Sequence, residues 1–290
     1  MMYIKMMEIY DENEYEECIF QLRILCWKDT KEKSKTIPKP PKSVKTIYKK
    51  KTLSKIYAKS NIHFFNMDSI DCAIKFKELN PLTLNLSDDI YAGGYVGSGS
   101  GAQEESLFRT TNYCQSLLQS FYPILFNEAV YSSQISVIKT SEATQWKSIP
   151  DDKIPKLCFV ACPALKYPKT VFNDNNAIEL LPEDVEILKN KIRLIIQTAI
   201  ENEHDTIIFG AMGCGAWCNP VKHVAQIFKC VLDECDGVIL NYYFAILNAR
   251  DDFGTEYKSR RPTVEIFAEV FDYHDQIVSY NDEIFLPTTI

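Results

Sequence analysis

Short β-rich runs alternate with amphipathic stretches along most of this 290-residue chain. The runs "NIHFF" (61–65), "LTLNL" (82–86), "QISVIK" (134–139), "LCFVAC" (157–162), "TIIFG" (206–210) and "LNYYFAIL" (240–247) read as strands. Between them, apolar positions recur at helical spacing. Over 182–202, Val185, Leu188, Ile192, Ile195, Ile196 and Ala199 share one face, with Pro182 suited to the first turn. Further helices are predicted over 69–79, 103–119, 219–235 and 263–271. Near the amino terminus, Tyr15, Cys18, Ile19, Leu22, Leu25 and Cys26 predict an amphipathic helix over 12–27, packed on the main body. This alternation predicts a three-layer α/β/α sandwich around a parallel or mixed sheet, with an N-terminal helical extension.

Composition adds three constraints. A 46% hydrophobic content supports a substantial core. The chain has no run of eighteen apolar residues, and its start lacks the basic-then-apolar order of a secretory signal, so an intracellular protein is expected, cytoplasmic or nuclear. Ten cysteines spread from Cys18 to Cys235 then read as reduced thiols, and neither they nor the four histidines show metal-ligand spacing. The net charge of −7 is uneven: residues 28–59 hold 12 Lys against 2 acidic residues, a charge of +10 that leaves −17 elsewhere. With Pro38, Pro40 and Pro41 and little apolar periodicity, this tract reads as an extended linker between the 1–27 helical segment and a 60–290 domain. A nuclear-import signal, or contact with nucleic acid or another polyanion, is the functional alternative for it.

Candidate chemistry lies in the glycines. Eight of the ten fall in two segments, "GGYVGSGSG" (93–101) and "FGAMGCGAWCNP" (209–220), each following a predicted strand and preceding a predicted helix. In α/β sheets such loops gather at the carboxyl ends of the strands, and glycine lets backbone N–H groups converge on an anion. Two loops of this kind suit a diphosphate with attached sugars. The backbone amides of Gly213, Cys214, Gly215 and Ala216 are the candidates for the diphosphate, and Trp217 for a ribose or a core anchor. Asn219-Pro220 reads as the cap and first residue of the next helix.

The segment "LNLSDDIYAGGYVGSGSGAQEESLFRTTNY" resembles the signature of the bacterial-type poly(ADP-ribose) glycohydrolases, macrodomain-fold enzymes with a Gly-Gly-Gly stretch, a spacer and then Gln-Glu-Glu. Here the spacer after Gly93, Gly94 and Tyr95 is seven residues, Val96 to Ala102. "IIFGAMGCGAWCNP" resembles the family's diphosphate loop and "NYYFAILNARDD" the strand after it, so the resemblance covers about residues 60–275. It departs at the third glycine, which is Tyr95 here, a ring that could line the ribose pocket or crowd it.

The resemblance implies hydrolysis of the ribose–ribose O-glycosidic bond of poly(ADP-ribose), without cofactor or metal, and poly(ADP-ribose) or ADP-ribosylated proteins as partners. It implies Glu105 as the acid that protonates the leaving oxygen and then the base toward water, Glu104 on ribose hydroxyls, and Gln103 on the loop or the sugar. Successive residues at a helix start point about 100° apart, so the two glutamates are expected to have different tasks. An acid working near neutral pH needs burial or a neighbouring negative charge to hold its proton. Two alternatives differ in class. One is a non-catalytic ADP-ribose reader with Tyr95 reshaping the cleft; the other is a metal-dependent nucleotide hydrolase, for which Asp88 and Asp89 are the nearby acidic residues.

Overall fold

The structure, a computed structural model, describes residues 12–247, 261–273 and 276–280, with side chains in the first helix described from Cys18 onward. Residues 1–11, Tyr15's side chain and the 248–252 end of "NYYFAILNARDD" lie outside the described residues. Helix α1 (Glu12–Ser34) is followed by β1 (Val44–Ile47), β2 (Asn61–Asn66), α2 (Ser69–Lys75), β3 (Leu82–Asn85) and α3 (Gln103–Thr110). Then come β4 (Glu128–Ser136), β5 (Lys156–Ala161), β6 (Thr170–Phe172), β7 (Ile178–Leu180) and α4 (Pro182–Glu201). The last elements are β8 (Thr206–Phe209), α5 (Val221–Glu234), β9 (Asn241–Ala245), α6 (Thr263–Val270) and β10 (Ile277–Ser279).

The main sheet runs β1-β4-β5-β3-β8-β9-β2-β10, with β1 and β4 antiparallel and every pair from β5 to β10 parallel. Strands β3, β8 and β9 are buried throughout, as strands covered on both faces must be, which is why they read as continuous apolar runs. Phe64 and Phe65, adjacent on β2, enter separate cores. Phe64 joins side chains of α4, α5 and α6, such as Ile195, Phe228 and Phe267. Phe65 joins Ile70, Leu107 and Phe108 of α2 and α3. The expected three layers are therefore present, around a mixed sheet.

Several boundaries differ from the sequence reading. Helix α3 ends at Thr110 rather than running to 119, because Thr111 is extended and the Thr110 and Thr111 hydroxyls bond back to carbonyls of the preceding turn. Strand β4 starts at Glu128 and carries a bulge between Ser132 and Ile135, where Gln134 has φ 57°. The short hairpin of β6 and β7 had no strong pattern.

The basic tract departs most. Helix α1 runs on through its first residues to Ser34, and Val44–Ile47 pairs with β4 as the edge strand. Between them the prolines have no N–H to satisfy, and the Pro38 and Pro41 carbonyls accept bonds from Asn112 and Ser116. Beyond β1, the amides of Ile56 and Tyr57 both reach the Gly237 carbonyl at 2.9 Å. Lys45, Lys51 and Lys33 pair with Glu128, Glu201 and Asp151. The tract is thus bound to the body along its length, where charge and proline content alone predicted a linker. Among the described residues no helix is long and apolar enough to cross a membrane.

Helix α1 lies on α3: Trp27 packs against Phe108 at 6.1 Å, and the buried Thr30 hydroxyl donates to the Arg109 carbonyl at the end of α3. Replacing Thr30 by its isostere Val keeps the shape and removes the donor. Thr30→Val is expected to cost about 1–3 kcal/mol in urea-monitored unfolding, and an unchanged midpoint would show that α1 does not contribute to the cooperative unit.

Candidate active site

Strands β5, β3 and β8 are neighbours, and the loops leaving their carboxyl ends (162–169, 86–102 and 210–220) form one rim. The two glycine segments are on that rim, as predicted. Helix α3 starts at Gln103, so Glu104 and Glu105 occupy its first turn, behind Ala102, which offers no side-chain cap.

Both glutamates are buried, Glu104 to 2% exposure and Glu105 to 5%. A buried carboxylate needs donors, and the first loop supplies them from its backbone. The Asp88 amide reaches Glu104 Oε2 at 2.7 Å and the Gly93 amide reaches Oε1 at 3.2 Å. Asn85 Nδ2 and the Tyr122 hydroxyl add bonds to Oε1 at 3.2 and 3.1 Å. Glu105 Oε1 accepts the Tyr95 amide at 3.0 Å. This wrapping dictates one glycine outright: Gly94 has φ +53°, and a Cβ there would stand 2.5 Å from Glu105 Oε1. Tyr95, by contrast, has φ −104°, a conformation open to any residue, so the departure from a third glycine costs the backbone nothing. Its ring points outward, 60% exposed.

Gln103 is committed to the protein. Its Oε1 accepts the Leu86 amide, and its Nε2 donates to Ser69 Oγ and the Leu84 carbonyl, all at 2.9 Å. Of its two expected tasks, the structure places it on the loop. From outside, α1 grips the same loop: Arg23 pairs with Glu142 through Nε at 2.8 Å and Nη2 at 2.9 Å, and its guanidinium lies against Gly99 and Gly101.

The second loop is built around Asn219. Its Nδ2 donates to the carbonyls of Leu165, Gly213 and Trp217 at 2.8, 3.1 and 3.2 Å, and Gly213 (φ +72°) leaves no room for a Cβ beside it. Asn219 therefore staples the loop and does not cap α5, whose N-cap is Pro220. The Cys214 amide is engaged with the Ala211 carbonyl at 3.1 Å, which corrects its expected place among free donors. The amides of Gly213, Gly215 and Ala216 make no hydrogen bond among the described residues, and a Cβ on Gly215 would face open space. Burial pushes the Cys214 thiol upward, away from a nucleophilic thiolate.

A lysine that the sequence reading passed over joins the loops. Lys166 reaches Asp88 at 2.9 Å and also pairs with Asp89, while its ammonium lies 5.2 Å from the centre of the half-buried Trp217 ring. Asp88 and Asp89, the candidate metal-binding pair, are thus engaged with a cation of the protein. Asp88 Oδ1 further accepts the amides of Ile90 and Tyr91. Asn85, Tyr122 and Lys166 are the site's unforeseen residues. Asn85 had a signal as the polar residue inside "LTLNL", and Lys166 one in following a strand at the same rim; Tyr122 had none.

Residues 9–140, a little under half the chain, match the family model described as microbial-type PARG, catalytic domain. The resemblance drawn from the Gly93–Glu105 segment is borne out, and the match also takes in α1 and the basic tract. No curated protein matches the chain by sequence. Among solved structures, the poly(ADP-ribose) glycohydrolase of Thermomonospora curvata is 17% identical with TM-score 0.69, covering 87% of this chain and 100% of its own. That of Deinococcus radiodurans in complex with ADP-ribose is 19% identical with TM-score 0.60, covering 75% and 86%. A second T. curvata structure, bound to the inhibitor ADP-HPD, is 20% identical with TM-score 0.60, covering 72% and 78%. At these identities the likeness establishes a shared fold.

Burial pushes the Glu104 carboxyl up to about 8, against the pull of the Asp88, Asn85 and Gly93 donors and with a further rise from Glu105. Burial and the Asp71 charge push Asp68, at the start of α2, up to about 7. A raised carboxyl binds its proton more tightly in the folded state, so its contribution is full below the ordinary carboxylate range and is lost as pH rises through the folded pKa. Unfolding free energy should therefore fall between roughly pH 5 and pH 8. In Glu104→Gln the slope should be shallower, even if the amide, facing donors on both sides, lowers stability overall. Equal slopes in denaturant titrations across that range would count against a proton on Glu104.

Proposed function

We propose that this chain is a poly(ADP-ribose) glycohydrolase, hydrolysing ribose–ribose O-glycosidic bonds to release ADP-ribose. The observation that carries this reading is the pair of buried carboxylates at the start of α3, held by the amides of a loop that faces a second, amide-lined loop across Lys166. The pair divides its labour by its bonds. Glu104 has both oxygens occupied and keeps one position, on Oε2, that accepts from a ribose hydroxyl when the group is ionised and donates to one when it is protonated. Glu105 accepts a single bond, on Oε1. Its other oxygen is available to the reaction.

Glu105 gives its proton to the leaving ribose oxygen as the bond to the anomeric carbon breaks, the electron pair staying on that oxygen. Water then adds to the anomeric carbon and returns a proton to the Glu105 carboxylate. The Gly213, Gly215 and Ala216 amides bind the diphosphate, Trp217 flanks a ribose, and the Gly93–Gly94–Tyr95 backbone shapes the sugar site. Gln103 supports that backbone from beneath.

Glu105→Gln is expected to reduce release of ADP-ribose from purified poly(ADP-ribose) by about 10²–10⁴-fold while calorimetric binding of ADP-ribose persists. Binding without release by the unaltered protein would instead make this a reader.

The site within the cell and the wider partners belong to the same reading. All ten cysteines are free, in keeping with a reducing compartment, cytoplasmic or nuclear. Lys39, Lys42, Lys49, Lys50 and Lys59 of the basic tract are exposed, and they are placed to contact a polyanion, long poly(ADP-ribose) first and nucleic acid by the same chemistry. Affinity for long chains should then fall more steeply with salt than affinity for ADP-ribose, and replacing these five lysines by Gln should shrink the difference. An unchanged difference would discard the contact.

A further inference from the structure

Two side chains of the first loop have no part in holding the glutamates. Tyr91 and Tyr95 are 49% and 60% exposed, and neither belongs to a hydrophobic core. Their rings meet edge-on, with centroids 6.0 Å apart at 63°. Such a pair covers little of either ring and leaves aromatic faces open to solvent. Two large rings in this state contribute little to folding, yet they stand beside the reacting groups, because the Tyr95 amide itself bonds Glu105 Oε1.

The chemistry of the substrate says what would pass there. On one side of the broken bond is the ADP-ribose to be released, with its diphosphate on the second loop. On the other side the leaving hydroxyl belongs to the ribose of an adenosine. Glu105 must reach that oxygen to protonate it, so the leaving ribose lies against Glu105 and its base lies within one nucleoside of it. A base is flat and indifferent to which aromatic ring it meets, and one stacking contact is worth about 1–3 kcal/mol.

Resting on the glycohydrolase reading, we infer that Tyr91 and Tyr95 form a stacking subsite for the adenine on the leaving side of the scissile bond. The protein then grips both sides of that bond. A leaving group without a base, such as the amino-acid side chain at the attachment point of a chain, gains nothing from these rings. Tyr95, standing where the resembling family has glycine, makes the protein selective for bonds within a chain.

The test uses the full chain carrying Glu105→Gln, which keeps substrate intact, and measures calorimetric affinity for a two-unit ADP-ribose chain and for ADP-ribose. Adding Tyr95→Ala should lower the ratio of the two affinities by about 5- to 100-fold, and Tyr91→Ala by less. Tyr95→Trp should restore the ratio, which a role in loop folding alone would not require. In the protein with Glu105 intact, Tyr95→Ala should raise KM for the two-unit chain while leaving the affinity for ADP-ribose as a product inhibitor unchanged. An unchanged ratio in Tyr95→Ala, or no recovery in Tyr95→Trp, overturns the subsite. Absence of ADP-ribose release by the unaltered protein overturns the glycohydrolase reading instead, and the affinity ratio still reports on the rings.

Discussion

Two adjacent carboxylates buried at one helix start impose the constraint around which the rest of the site is arranged. Both are buried, so the protein must provide donors, and side chains alone would crowd a space the substrate has to enter. The solution is backbone: the loop between β3 and α3 turns its Asp88, Gly93 and Tyr95 amides inward. Once those amides face the glutamates, the loop has little freedom left. Gly94 must lack a side chain because the Glu105 carboxylate occupies its Cβ position. Gln103 must hold the loop's entry at Leu86, and α1 must close it from outside.

The charge pattern follows from the same constraint. Glu104, Glu105, Asp88 and Asp89 concentrate negative charge at a rim expected to receive a diphosphate, an arrangement that would repel the ligand if left bare. Lys166 offsets two of the four, and the burial of Glu104 favours its protonated form. On the proposed reading, the acids serve the chemistry while backbone dipoles face the phosphates, which bind anions without adding a mobile charge.

The strands and the glutamate loop were legible in the sequence because periodicity and glycine spacing report local backbone requirements. "LTLNL" and "TIIFG" read as strands and are strands, and Pro182 opens α4 as its residue type predicts. The failures are tertiary. Strand β1 has no pattern of its own, since an edge strand exposed at three of its four residues is specified by its neighbour β4. The prolines that suggested a linker are satisfied through carbonyls, which composition does not register. Asn219 looked like a cap because Asn-Pro before a helix usually is one. Its three carbonyl partners come from Leu165, Gly213 and Trp217, and the first of these sits on a different loop.

Loops that carry binding groups are commonly among the first parts of a protein to open. Here the loop is clamped from within by the glutamates and from without by α1, where the Phe20 carbonyl lies against Gly99 and Arg23 is anchored to Glu142. Swinging away would break its contacts with α1. Local opening of the site is therefore coupled through these contacts to a helix that ends some fifty residues earlier in the chain. The loop that wraps the glutamates takes its outer contacts from the amino-terminal helix, and a protein trimmed to the segment from residue 60 onward would keep every glutamate and glycine of the site while losing those contacts.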